Sequence, residues 1–216
     1  MVSDPRERRR EDGKARILDA ARERYVRGHR IELATLAAEQ GISRASAYRW
    51  LGDNDRLLAE VLGERVRENF DARVREHTGK SGRDRVLSVV DGFLRHAAGS
   101  ERLEALLRRE PNRVLKILAS SAHGVQQMVV RLFEDLLSEE QGAGHVELPV
   151  PAHTLAYGIV RLLEAYLYAD VVAGEERDIE SAVQIIGLLM PERLNGAGPA
   201  SNGNAVGSAL SSSGPS

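Results

Sequence analysis

Cysteine is absent from the 216-residue chain, so no disulfide braces the fold and no thiolate can hold a metal or attack a substrate. Aromatic side chains make up only 4% of it, which leaves the core to Leu, Val, Ile and Ala, a set that suits helix packing. Long apolar runs are missing as well. The longest in the late chain, Leu155 to Val160, is stopped by Arg161 and is too short to span a bilayer. Met1 to Lys14 is charged and has no apolar stretch of the secretory kind. The expectation is a cytoplasmic protein with no membrane partner. Sustained strand alternation and internal repeats are lacking too, which points to an all-α fold.

Catalytic constellations are equally hard to find. The six histidines, His29, His77, His96, His123, His145 and His153, never pair at i, i+4, and none follows a helical Glu or Asp at metal-binding spacing. No Gly-x-Ser-x-Gly elbow occurs. Gly79-Lys80-Ser81 imitates the end of a phosphate loop, but position 74, where that loop needs glycine, is Val, and a helical pattern precedes it instead of a strand. No cofactor, metal or catalytic residue is expected.

What the chain does have is an uneven distribution of charge. Residues 1–50 hold twelve Lys and Arg against eight Asp and Glu, while the remainder holds eighteen against twenty-four. A basic segment on an acidic body is the electrostatic outline of a small nucleic-acid-reading head. Helical periodicity runs from about Gly13 to Arg27, with Ile17, Ala20, Ala21 and Tyr25 inward, and Gly28 stops it. Residues 4–12 show no apolar periodicity and read as a solvated arm, whose Arg6 and Arg8 to Arg10 could reach phosphates.

The stretch from Leu33 to Trp50 carries the clearest signal. Leu33, Leu36 and Ala37 give one short helix an apolar face, and Gly41 stands where a positive φ can end it. Ser43 is a good N-cap for a second helix, whose leading face of Arg44, Ala45 and Ser46 is small, polar and basic enough to approach a major groove. The spacing predicts a helix-turn-helix. Arg44 and Arg49 are the candidates for base edges or phosphates. Ser46, with Ala45 beside it and Thr35 on the preceding helix, completes the contact set, and Tyr48 and Trp50 either brace phosphates or pack against the first helix.

The residues from Gly41 to Leu51, followed by Asp53 and Leu57-Leu58, resemble the TetR family of bacterial one-component regulators. The resemblance implies an N-terminal three-helix DNA-binding domain (1–52) joined to a helical ligand-binding and dimerisation domain (53–194). It also implies a double-stranded DNA operator and a small-molecule effector as partners. There are departures: Glu32 stands where the family usually has Thr or Ser, Asn54 where it usually has a phosphate-contacting Lys, and Leu51 where an aromatic is common. In the late chain, Arg161 to Val172 with Glu176, Ile179-Glu180 and Ile185-Ile186 is similar to an actinobacterial subgroup that controls lactone degradation.

Asp53 should cap a long helix to about His77, and Thr78 to Gly82 is a linker. Helices are expected over 83–98 and 101–109, as one piece from Pro111 to Glu140 bent at Gly124, over 152–173, and over 179–190. Residues 195–216, rich in Gly, Ser, Ala and Asn, read as a disordered tail. Apolar residues exceed the needs of a one-sided pair on the last two helices (Leu155, Ile159, Leu162, Leu163, Tyr166 and Leu167, then Val183, Ile186, Leu188 and Leu189), which predicts a homodimer interface. Tyr157, Arg161, Glu164 and Tyr168, spaced +4, +3 and +4, form a polar stripe that is the candidate effector site or else an interface seam, with Phe93, His96 and His123 as the fallback. Three functions compete: a ligand-controlled dimeric repressor, a constitutive dimeric DNA-binding protein, and a helical enzyme.

Overall fold

The computed structural model describes residues 4–190, and every regular element in that span is α-helical. The expected tail, 195–216, lies outside the described residues. Helix α1 covers Pro5–Val26, so residues 4–12, expected as a mobile, non-helical arm, are helical from Pro5 onward, although they stay solvated. Asp4 accepts a hydrogen bond from the Arg6 N–H at 2.9 Å, and Pro5 occupies the first turn, a start signal that needs no apolar pattern behind it. The first two turns are exposed on every side, which is why no periodicity marks them.

Helices α2 (Leu33–Glu39) and α3 (Arg44–Leu51) flank Gly41, whose φ of 65° turns the chain. The Ile42 N–H closes the turn on the Ala37 carbonyl at 2.8 Å, and Ser43 Oγ accepts from the Ser46 N–H at 3.2 Å. Leu33, Leu36, Ala37, Ala47 and Leu51 are buried together with Ile17 and Ala21 of α1. Each fully buried Leu or Ile stabilises such a small core by about 1.5–3 kcal/mol.

Asp53 caps α4 (Asn54–Glu76) by accepting from the Arg56 N–H at 2.8 Å. Helices α5 (Gly82–Ala98), α6 (Glu101–Arg109) and α7 (Pro111–Leu118) follow. The single helix expected from Pro111 to Glu140 is in fact two, because the chain breaks over 119–124 before α8 (Val125–Gly142). Gly124, at φ 79°, reverses the backbone, and the Ser120 hydroxyl folds back on the Lys116 carbonyl. The freed Ala119 carbonyl accepts from Gln126 Nε2 at 3.1 Å instead. Helix α9 (Ala152–Leu167) likewise stops short of 173, and α10 (Ala169–Val172) is a separate turn. Helix α11 (Ile179–Leu188), capped by Asp178, closes the fold.

All three phenylalanines of the chain meet at one point. Phe70, Phe93 and Phe133 stand edge to face, with centroids 5.0, 5.8 and 6.3 Å apart, and bind α4, α5 and α8 into one core. At the far end of α8, Glu140 is only 2% exposed. It accepts from the Gly82 N–H at 2.5 Å, from Arg85, and sits 3.0 Å from His145 Nδ1. Burial opposes its charge, but these three partners outweigh burial and hold the carboxyl below its usual range.

On the last helices, Leu155, Ile159, Leu163, Leu167 and Ile186 are buried within the chain's own core. The surplus expected for a dimer is therefore narrower than the sequence count gave: α9 is covered on two sides, by α8 and by α5 with α11. Tyr157, Ile185 and Leu188 remain exposed, with Leu162, Tyr166, Val183 and Leu189 half-buried beside them.

Candidate functional site

Two regions carry chemistry, a basic outer face on α3 and a cavity in the body. On α3, Arg44, Ala45 and Arg49 are exposed. The Arg44 guanidinium lies over the half-buried Tyr48 ring, 5.4 Å from its centroid. Arg49 Nη2 reaches Ser46 Oγ at 3.5 Å, and Ser43 Oγ donates to Ser46 Oγ at 3.0 Å. These side chains form one strip of donors along the face of the helix that turns away from the core. Trp50 points the other way: it is half-buried and packs on α1 where Gly13 leaves no Cβ. Both aromatics are half-buried against the core; Trp50 braces α3 against α1, while Tyr48 also carries the Arg44 guanidinium over its ring. Thr35 is half-buried, with its hydroxyl donating to Glu32 Oε2 at 3.3 Å.

The departures at Glu32 and Asn54 belong together. Glu32 precedes α2 but makes no side-chain cap. Asn54, the first residue of α4, supplies the acceptor: its Oδ1 takes the Leu33 N–H at 2.8 Å. The base of α4 thereby caps the helix ahead of the turn. Other ties join α4 to its neighbours, Arg22 of α1 to Glu64, and Arg113 of α7 to Asp55 at 2.6 Å.

The cavity, of about 470 Å³, lies between α4, α5, α8 and α9, and is also lined by Tyr25 and Val26 of α1 and by Arg102 and Leu103 of α6. Aliphatic and aromatic side chains predominate in its walls, with charged groups of both signs among them, Arg65, Arg73 and Arg102 against Glu68 and Glu164, a composition compatible with a small-molecule site. Of the stripe on α9, Glu164 and Tyr168 line it, whereas Tyr157 and Arg161 do not. Tyr157 is 51% exposed on the outer surface, and the exposed Arg161 pairs with Glu164 at 2.7 Å. The stripe therefore divides: Glu164 and Tyr168, at the C-terminal end of α9, border the cavity, and the candidate site at Tyr157 and Arg161 is corrected. Burial raises the carboxyl pKa of Glu164, against the opposing pull of Gln126 and Arg161. Gln126 Nε2 donates to both of its oxygens, at 2.9 and 3.0 Å. Burial also pushes the Tyr168 phenol well above its ordinary range.

Phe93 and His96, named as fallbacks, line the cavity, while His123 lies outside it beside a separate cleft between α1 and α4. Sequence reasoning missed Asn69, Arg73 and Gln126. A signal existed for the first two: Leu62, Val66, Asn69, Phe70 and Arg73 fall at helical spacing on one face of α4, and two of the five are polar. Among the described residues, no group of acidic or histidine side chains is arranged to hold a metal ion, and no helix is long and apolar enough to cross a membrane.

With this geometry in hand, the likenesses to other proteins can be placed. The family model described as "Tetracyclin repressor-like, C-terminal domain" matches residues 81–191. No curated protein sequence gives a significant match. Among solved structures, the chain is similar to the transcriptional repressor QsdR of R. erythropolis at 26% identity, over 83% of this chain and 95% of that one, with a TM-score of 0.78. It also shares its fold with a TetR-family regulator from Pectobacterium atrosepticum at 21% identity, over 87% and 95% of the two chains, with a TM-score of 0.58. Proteins of this family are transcription regulators and not enzymes, usually ligand-responsive repressors that bind operators and effectors as dimers. A helix-turn-helix ahead of a body that the family model matches over 111 of its residues places this chain in the TetR family of transcription regulators.

Proposed function

We propose that the chain is a homodimeric cytoplasmic repressor that leaves a near-palindromic operator when a small, oxygenated and largely apolar molecule, such as a lactone, fills the cavity. In this reading residues 1–52 are the reading head, and Arg44, Ser46, Tyr48 and Arg49 touch DNA. Residues 53–194 form the body, which dimerises through the exposed strip of Tyr157, Ile185 and Leu188 on α9 and α11. The observation that carries the reading is the shared wall of the cavity: Tyr25 and Val26 belong to α1 of the head, and the remaining walls belong to the body and to α4, which joins them. A ligand there touches both parts at once. By linkage, it must then bind DNA-free protein more tightly than DNA-bound protein. The constitutive alternative has no use for such a cavity.

The test is selection of bound fragments from genomic DNA, followed by release with pools of small molecules. The reading expects a two-fold symmetric site and at least one releasing pool. Operator binding that no pool disturbs, with the cavity demonstrably empty, would return the protein to the constitutive class.

A further inference from the structure

The first two turns of α1 run on past the rest of the head. At the C-terminal end of the helix, Tyr25 and Val26 line the cavity in the body; Arg22 pairs with Glu64 of α4; and Gly13 meets Trp50 of α3 and Ile42 of the turn. Successive turns of α1 therefore lead from the body to the reading helix. The eight residues before Gly13 continue beyond it for about 12 Å, at 1.5 Å of rise per residue. All eight are exposed, so no buried contact accounts for this extension.

Because the extension is helical, its charges have fixed places. Arg6, Arg9, Arg10 and Lys14 stand at i, i+3, i+4 and i+8, within an arc of about 140°, and Arg6 and Arg10 fall in line with Gly13 and Ile17. Glu7, Arg8, Glu11 and Asp12 fall on the other faces. The cations thus share the side of α1 that meets α3 further along, and the carboxylates are turned from it. Among the described residues, Arg6 and Arg9 have no ion-pair partner, and Arg10 has only Glu11, at 3.8 Å with both side chains more than half exposed. A pair of that kind contributes little and leaves the guanidinium open to another anion.

We propose that this ridge is a second DNA-contacting surface, on which Arg6, Arg9 and Arg10 hold backbone phosphates beside the groove that α3 enters. A row of exposed guanidinium groups matches phosphate both in charge and in its forked donors. The carboxylates on the other faces decide which side of the helix approaches a polyanion. Phosphate contacts carry no sequence information, so the ridge adds affinity and position, while α3 reads the bases. The proposal rests on α3 as the reading helix and extends the interface beyond it.

Full-length protein tests it, with its selected operator and an unrelated duplex of equal length. Fluorescence anisotropy over a series of salt concentrations gives affinity and salt dependence for wild type, Arg6→Gln, Arg10→Gln and Arg8→Gln. Glutamine is about as good a helix former as arginine, so the extension keeps its shape. Arg6→Gln and Arg10→Gln should each lower the slope of log K against log salt by about two, one phosphate contact for each protomer of a dimer. Each should weaken operator and unrelated DNA by the same factor. Arg8→Gln removes the same charge from another face and should leave the slope as it is in wild type. Slopes unmoved by Arg6→Gln and Arg10→Gln overturn the proposal. An equal fall with Arg8→Gln, which would reflect overall charge, overturns it too, as do losses confined to the operator, which would mean base reading. Arg44→Ala separates the two levels: if it loses operator affinity while the ridge variants keep theirs, only the ridge falls, and if it too binds unchanged, the reading helix itself is misassigned.

Discussion

Gly13→Ala opposes two effects whose sizes can be compared. Gly13 lies in the interior of α1 and is buried. An alanine in a helix interior ordinarily stabilises by about 0.5–1 kcal/mol over glycine. Here a Cβ would stand 2.6 Å from Trp50 Cζ3, 3.1 Å from Cη2 and 3.4 Å from Ile42 Cδ1. The first distance is impossible without movement, and overpacking of this kind costs about 1–3 kcal/mol. The net expectation is a loss of about 1 kcal/mol, with the indole edge displaced and the end of α3 moved with it. Urea denaturation should therefore show a lower midpoint at unchanged slope, and fluorescence anisotropy with labelled operator should show weaker affinity. A variant that gains the helix-propensity term and binds operator as before would refute the claim that Trp50 braces the reading helix against α1.

Arg44→Ala should lose about 1–3 kcal/mol of operator affinity, and unchanged affinity and salt dependence in a binding titration would show that the reading strip is misassigned. Glu140→Ala, which leaves the Gly82 N–H without its acceptor and Arg85 with Glu139 alone, should cost about 3–5 kcal/mol in denaturation, and Glu140→Gln clearly less. The carboxyl pKa of Glu140 is depressed in the folded protein, so its contribution is present above the ordinary carboxylate value of about 4.3 and is lost as pH falls through the lower folded value. The stability gap between wild type and Glu140→Gln should accordingly narrow in acid. A gap that is flat or widens below pH 4, on the order of the ordinary value, would contradict the assignment. Leu188, 80% exposed, should tolerate Glu without loss of helical signal, yet sedimentation of Leu188→Glu should show monomer where wild type is dimer; an intact dimer would move the interface elsewhere.

The helix-turn-helix was legible because its signals are local: Gly41 must take a positive φ, Ser43 caps with its own hydroxyl, and both act within four residues. The break over 119–124 was not, because Val114, Ile117, Leu118 and then Val125 and Val129 keep supplying apolar residues on both sides of it, and only the left-handed Gly124 marks the reversal. The α9 stripe shows a different limit. Spacing aligns Tyr157 with Tyr168, but which of them borders the cavity depends on how the other helices pack, which no local pattern encodes. The start of α1 is hidden for the opposite reason: its capping signal, Asp4-Pro5, has no apolar pattern behind it. Asn69 and Arg73 are legible in the sequence as polar residues at the spacing of the apolar stripe of α4.

The hydrogen bond from the Leu33 N–H to Asn54 also constrains how this sequence can change. Asn54→Lys alone would offer the phosphate a cation but strip α2 of its only side-chain acceptor, a loss of about 1 kcal/mol. Glu32→Ser alone would offer a hydroxyl acceptor to the Thr35 N–H, three residues on, as Ser43 does for Ser46, and so would serve a donor other than the one Asn54 takes. The two exchanges therefore act on different backbone donors of α2, and the gain of one offsets the loss of the other. A lineage that acquires the serine first passes between the two states without crossing a less stable head.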